Sequence, residues 1–181
     1  GIVAGQAFDA SKLGDAAVQG LNEAIPAAQK AILKQAKKSG TKKNGWSYST
    51  NVGTYGTDYL QRAYIAYAGL GANIPQDAVY PMTSVDKDGN TLNGSNQYIL
   101  HFDKDELPPA NAFWSLTMYN DKMFFVNNPL NRYNISSRNN VIYSGDGSLD
   151  IYIQNTPPDG SRVANWLPAP QGNFVLVLRL Y

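Results

Sequence analysis

The feature that most constrains this chain is a change of hydrophobic period near Ala78. Before it, Leu13, Ala17, Leu21, Ile25, Ala28, Ile32 and Ala36 recur every three or four residues and form one apolar stripe. After it, apolar and polar residues alternate in short runs separated by Gly, Pro, Asn and Asp. The first pattern predicts helix over residues 9–38, with Pro26 either kinking it or opening a second helix. The stripe from Leu13 through Ile25 to Ile32 is expected to lie against apolar surface, of this domain or of a partner. Lys34, Lys37 and Lys38 suit the negative helix end, and Gly40 suits a C-cap. Residues 41–53 read as loop, and 57–68 as a second helix whose apolar face carries Leu60, Ala63, Tyr64 and Tyr67.

The second pattern predicts strands near 78–85, 97–102, 112–119, 123–126, 141–143, 149–154 and 173–181. In the last of these, Phe174, Leu176, Leu178 and Leu180 alternate with Val175, Val177, Arg179 and Tyr181, as in a central strand. Asp88-Gly89 and Asp146-Gly147 are hairpin signals, and the runs at Pro108-Pro109, Pro157-Pro158 and Pro168-Ala169-Pro170 are loops. The expected class is α+β: N-terminal helices (1–74) packed on an antiparallel β-sandwich (75–181), together one compact unit.

Much chemistry is excluded by residue type. With no Cys and a single His, the chain has no thiol nucleophile, disulfide or thiolate site, and it has no set of histidines for a metal. We therefore expect no metal held through nitrogen or sulfur ligands alone, and no cofactor is implied. A formal charge of +1 in 181 residues argues against a nucleic acid partner. The run Lys30, Lys34, Lys37, Lys38, Lys42, Lys43 reads as a solvated face. No apolar run is long enough to span a bilayer. The chain opens at Gly1 without Met or a signal peptide, as a processed form or a piece of a longer protein would.

Short motifs add little. Asp86-Lys87-Asp88-Gly89-Asn90 begins like a calcium loop, but Thr91 and Gln97 stand where Gly and Glu are needed, so it reads as a polar hairpin turn. Ser39–Lys42 and Ser84–Lys87 match Ser-x-x-Lys without the accompanying elements of that type of site. Asn93-Gly94-Ser95 and Asn134-Ile135-Ser136 fit the glycosylation pattern by residue type only. His101 falls on a strand face opposite Tyr98, Leu100 and Phe102, as a partly exposed strand residue or as a base or ligand contact.

A more specific signal is the succession Tyr59-Leu60-Gln61-Arg62-Ala63, Gly69-Leu70-Gly71-Ala72-Asn73, Leu107-Pro108-Pro109-Ala110-Asn111-Ala112-Phe113-Trp114-Ser115-Leu116-Thr117-Met118-Tyr119, Asn131-Arg132-Tyr133, Asp146-Gly147-Ser148-Leu149 and Asn165-Trp166-Leu167-Pro168-Ala169-Pro170. Its order and spacing over about residues 55–181 resemble the DUF1214 domain, the C-terminal half of DUF1254/DUF1214 proteins. The resemblance implies a jelly-roll sandwich for residues 75–181 and a helical segment before it. It implies no activity, and the DUF1254 half that usually precedes the domain is missing from the chain.

The candidate ligand-binding residues are Trp114, Tyr119, Arg132, Asn165, Trp166 and Arg179, amphipathic or polar groups set among strands and loops. Arg179 lies between Leu178 and Leu180, so its guanidinium is expected to be mostly buried. A buried guanidinium needs a carboxylate such as Asp150, or carbonyl oxygens, here expected near the Asn165-Trp166 loop. That loop in turn reads as a hydrogen-bonded plug.

The leading functional reading is a carbohydrate- or small-polar-ligand-binding jelly roll in an extracytoplasmic (periplasmic or secreted) protein. A pocket holding Trp166, Arg179 and an acid would support it. One alternative is a hydrolase or lyase acting through carboxylates and Tyr, drawn from Asp103, Asp105, Glu106, Asp121, Asp146 and Asp150. Another is an assembly module that pairs with a DUF1254 domain or with itself.

Overall fold

Alternation along the β-rich part of the chain becomes two sheets around one core. The computed structural model describes residues 4–36 and 40–181, which form two compact units. One holds residues 4–36 and 55–72, the other 40–54 and 73–181.

The first unit is helical. After a 3-10 turn at Ala10–Lys12, α1 spans Asp15–Gln35 and continues through Pro26, which lacks the N–H for a helical bond. α2, Tyr59–Ala68, starts where the Asp58 carboxylate accepts the Gln61 N–H at 3.0 Å, and it ends at Gly69. Gln35 donates to the Gln61 side-chain oxygen at 2.9 Å, tying the two helices together. The expected burial of the stripe does not occur in this chain. No residue of α1 is buried, and Ile25 is 61% exposed. Lys37 and Lys38 lie outside the described residues. Gly40, expected as the helix C-cap, instead lies just before the first strand, with φ +102. None of the described helices is long and apolar enough to cross a membrane.

The second unit is built from strands β1 (Thr41–Lys43), β2 (Trp46–Tyr48), β3 (Met82–Thr83), β4 (Tyr98–Phe102), β5 (Trp114–Asn120), β6 (Asn134–Ser136), β7 (Leu149–Gln154), β8 (Trp166–Pro168) and β9 (Phe174–Leu180). The six-stranded sheet runs β1-β2-β3-β9-β5-β6 and is antiparallel throughout. The three-stranded sheet runs β4-β7-β8, with β8 parallel to β7. Together with the helices this is an α+β chain with two predominantly antiparallel sheets. Both sheets feed one core. β5 contributes Trp114, Leu116 and Met118, β9 Phe174, Leu176 and Leu178, β7 Leu149, Ile151 and Ile153, and β8 Leu167. Each set obeys the period of two that one buried face requires.

Four segments of the unit depart from the sequence pattern. Residues 41–48 are a hairpin, not a loop. Asn44 and Gly45 both have positive φ, 51° and 78°, as a primed two-residue turn demands. Residues 123–126 are no strand: Met123 has φ 63°, and the Asn120 side chain accepts the Lys122 and Phe124 N–H groups, which closes a turn. Residues 141–143 also form no strand, because the Ile142 backbone bonds to the Asn165 side chain instead. Strands β6 and β8 were not foreseen. Gly94 shows how closely the loops pack on this unit, since a Cβ there would fall 1.6 Å from the Pro170 carbonyl oxygen.

Candidate functional site

Three places in the sheet unit gather functional side chains. The first is a cleft of about 680 Å³ between the two sheets. β2 and β3 supply Trp46 and Thr83 to one wall, β4 supplies Tyr98 to the other, and Leu92, Ile153 and Leu176 line its apolar part. Asn44, Asn96, Gln97 and the Asp86–Asp88 turn complete it. Tyr98 is fixed on both sides. Its ring meets Phe174 edge-on at 5.7 Å, and its hydroxyl accepts the Asn93 N–H and the Asn96 amide at 3.1 Å each. Asp86 accepts the backbone N–H groups of Asn90 at 2.8 Å and Asp88 at 2.9 Å, and the Asn90 backbone N–H above all holds its carboxyl below the usual carboxylate range.

The second place surrounds Arg132. Its Nη1 reaches the carbonyl oxygens of Val163 (2.8 Å), Ala164 (3.2 Å) and Trp166 (2.8 Å), where a 3-10 turn (Gly160–Asn165) enters β8. Asn165 accepts the Ile142 N–H at 2.8 Å and donates to the Ile142 and Asp150 carbonyls at 2.7 and 2.9 Å. Trp166 donates to the Gln154 carbonyl at 2.9 Å and is 2% exposed. This segment is the hydrogen-bonded plug anticipated from its sequence, though Trp166–Pro168 is strand rather than loop. Trp114 is likewise in the core, tilted against Phe102.

The third place is the outer face of the six-stranded sheet. There Arg179 donates from Nη1 to Thr117 Oγ1 and from Nη2 to the Tyr119 hydroxyl at 2.6 Å. This corrects the expectation for Arg179. It is half-buried, its partners are neutral hydroxyls rather than a carboxylate or carbonyls, and the arginine that holds the Asn165-Trp166 segment is Arg132. The expected pocket of Trp166, Arg179 and an acid therefore does not form. Of the six candidates, Tyr119 and Arg179 come together. Trp114, Asn165 and Trp166 are consumed by packing and backbone bonds, as is the Nη1 of Arg132.

The candidate acids divide similarly. His101 faces outward from β4, with Nδ1 2.6 Å from Asp150 and Nε2 3.2 Å from Asp103. The Asp150 hydrogen bond and then the Asp103 bond raise its pKa, so the imidazole favours the charged form that donates to both. Asp146 accepts the Ser148 N–H at 2.9 Å, and this bond, first among the causes, lowers its pKa. Among the described residues no three acidic or histidine side chains converge on a metal position.

Trp46, Tyr98, Asn96 and Gln97 were missed by sequence reasoning. The usable signal was local: Asn44-Gly45 is a hairpin turn that sets Trp46 on the neighbouring strand.

The family model for "Protein of unknown function (DUF1214)" matches residues 77–181, more than half of the chain. The chain belongs to the DUF1214 family. Its sheet unit contains the whole matched DUF1214 region. None of the curated proteins matches the chain. Among solved structures it is similar to the VPA0106 protein from Vibrio parahaemolyticus, at 25% identity and TM-score 0.68 over 98% of this chain and 42% of that one. An uncharacterized protein from Burkholderia cenocepacia aligns at 14% identity and TM-score 0.43, over 84% of this chain and 34% of that one. The chain thus spans less than half the length of the Vibrio protein.

Proposed function

We propose that the DUF1214 domain is a binding module, a jelly-roll-like sandwich that takes a carbohydrate or similarly hydroxyl-rich small molecule into the cleft between its sheets. The observation that carries this reading is the cleft of about 680 Å³ in which Trp46 and Tyr98 stand with the amides of Asn96 and Gln97. Aromatic rings pack on the C–H faces of a sugar, and side-chain amides both donate to and accept from its hydroxyls. Binding is favoured over hydrolysis by the two acids that line the cleft. A glycosidase needs one carboxyl held protonated, whereas Asp86 accepts backbone N–H groups of its own turn, which favour its ionised form, and Asp88 is paired with Lys87 at 2.9 Å.

Trp46 provides the test. Of the three tryptophans, Trp114 and Trp166 are buried and Trp46 is not, so a ligand in the cleft changes emission from Trp46. Titration with a panel of neutral mono- and oligosaccharides should give a saturable signal that W46A and an Asn96→Ala variant both lose. If no sugar binds, or if W46A binds as well as the parent by calorimetry, the reading fails.

The exposed stripe on α1 favours a second reading. Val18, Leu21, Ile25 and Leu33 are 39–61% exposed, and the Vibrio protein is more than twice the length of the segment aligned here. We infer that this face takes a DUF1254 domain. Purified DUF1254 domain should co-elute with the chain and release L21E/I25E. Equal retention of that variant, or no co-elution of the parent, rejects this reading.

A further inference from the structure

Arg179 is the cross-strand partner of Ser115, and its side chain runs along β5 past Thr117 to Tyr119. The guanidinium carbon lies 5.7 Å from the Tyr119 ring centre. Tyr119 stacks on Phe125 at 5.1 Å and 15°, and Phe125 meets Tyr133 at 5.1 Å. Just past β9 on the same face, Tyr181 stacks on Phe113 at 4.6 Å and meets Tyr80 edge-on at 6.0 Å. The face is therefore an aromatic floor with Arg179 laid across it.

What this cation lacks is a counter-charge. Among the described residues no carboxylate pairs with Arg179, and its two bonds end on hydroxyls. Two of the five guanidinium N–H donors are thus engaged, both by neutral groups that can rotate to serve another partner. Burial, then the Tyr181 hydroxyl, raises the Tyr80 pKa, so that phenol stays a neutral donor beside the centre. Arg138 on the same face is occupied at 3.9 Å from the Phe113 ring centre. The single unit charge of Arg179 matches a monoanion better than a dianion. The planar fork matches a carboxylate edge, and the exposed Phe125 ring offers apolar surface beside it.

We propose that Arg179, with Thr117 and Tyr119, anchors a binding site for a small carboxylate carried on an aromatic or apolar body, separate from the cleft between the sheets. The site is independent of the cleft reading, and the two fail separately.

Sodium benzoate is the probe, with inorganic phosphate as the second arm, followed by calorimetry and by the Arg179 Nε–H resonance. Benzoate should bind saturably and shift that resonance, and R179M should weaken binding about tenfold or more. R179K keeps the charge but not the fork, so it should also weaken binding, and it supplies the readout if R179M does not fold. W46A should bind benzoate like the parent. Benzoate affinity unchanged in both Arg179 variants overturns the proposal. So does phosphate binding without benzoate, or the absence of any benzoate binding.

Discussion

Arg132 and Arg179 are both half-buried in the sheet unit, and both bond within it. Arg132 donates to three backbone carbonyls that belong to one short segment. Arg179 donates to two side-chain hydroxyls. A buried carbonyl cannot turn away or supply its own proton, so removing its donor leaves it unsatisfied. A hydroxyl rotates, accepts or donates, and tolerates exchange of its partner. Arginine in a fold is therefore committed or available according to what it touches, and burial alone does not distinguish the two.

The largest effect is expected where the backbone depends on the side chain. R132M should cost about 3 kcal/mol, because the Val163, Ala164 and Trp166 carbonyls at the entrance to β8 all lose the Arg132 donor, with Val163 keeping the Trp166 N–H. Chemical denaturation measures this, and a loss below about 1 kcal/mol would erase the distinction between the two arginines. Asn165→Leu tests the same segment from its other side. The Ile142 N–H and the Ile142 and Asp150 carbonyls lose their partner, for about 2 kcal/mol in the same assay. R179M should cost under about 1 kcal/mol, since the two hydroxyls it frees, on buried Thr117 and half-buried Tyr119, can rotate to new partners. A collapse of the fold in R179M would make Arg179 a second structural brace.

The smallest effect belongs to the third cationic centre, exposed His101. Its pKa is raised, so its contribution to stability is fully present below the ordinary imidazole value of about 6.5 and fades as pH rises through the folded value. As the sole histidine, it can be followed by its single set of imidazole proton resonances. These should titrate above the ordinary value, and D150N should move the midpoint down. A midpoint unchanged by D150N would mean that the 2.6 Å contact with Asp150 carries no charge coupling.

The long alternating strands were legible because their period repeats several times. Phe174, Leu176 and Leu178 point into the core, and Val175, Val177 and Arg179 point away from it, as the pattern required. Strands β1, β2, β6 and β8 are three residues each, too short for a period to show. β8 was hidden further by Pro168, which reads as a loop signal but here ends a strand in parallel register with β7. The helix was legible and its burial was not, since amphipathicity gives a face but does not name what covers it. Site residues divided on a similar point. That Trp166 and Asn165 are used up by backbone groups depends on Gln154, Ile142 and Asp150, distant in sequence. The cleft joins Trp46 to Tyr98 across two sheets, and no local pattern carries that pairing.

The position of β9 has a consequence for how the chain is made. Among the described residues it follows every other strand in order, yet lies between β3 and β5 and links β1-β2-β3 to β5-β6 within the sheet. During translation at about 5–20 residues per second, the two halves of that sheet must wait as open edges until β9 emerges. Such late, non-local closure slows folding and leaves unpaired strands exposed to other nascent chains. Lys42 and Lys43 on β1 give one outer edge of the sheet a charge that discourages pairing. The inner edges of β3 and β5 are covered only when β9 pairs with them, so yield in a cell should depend on chaperone supply until β9 has emerged.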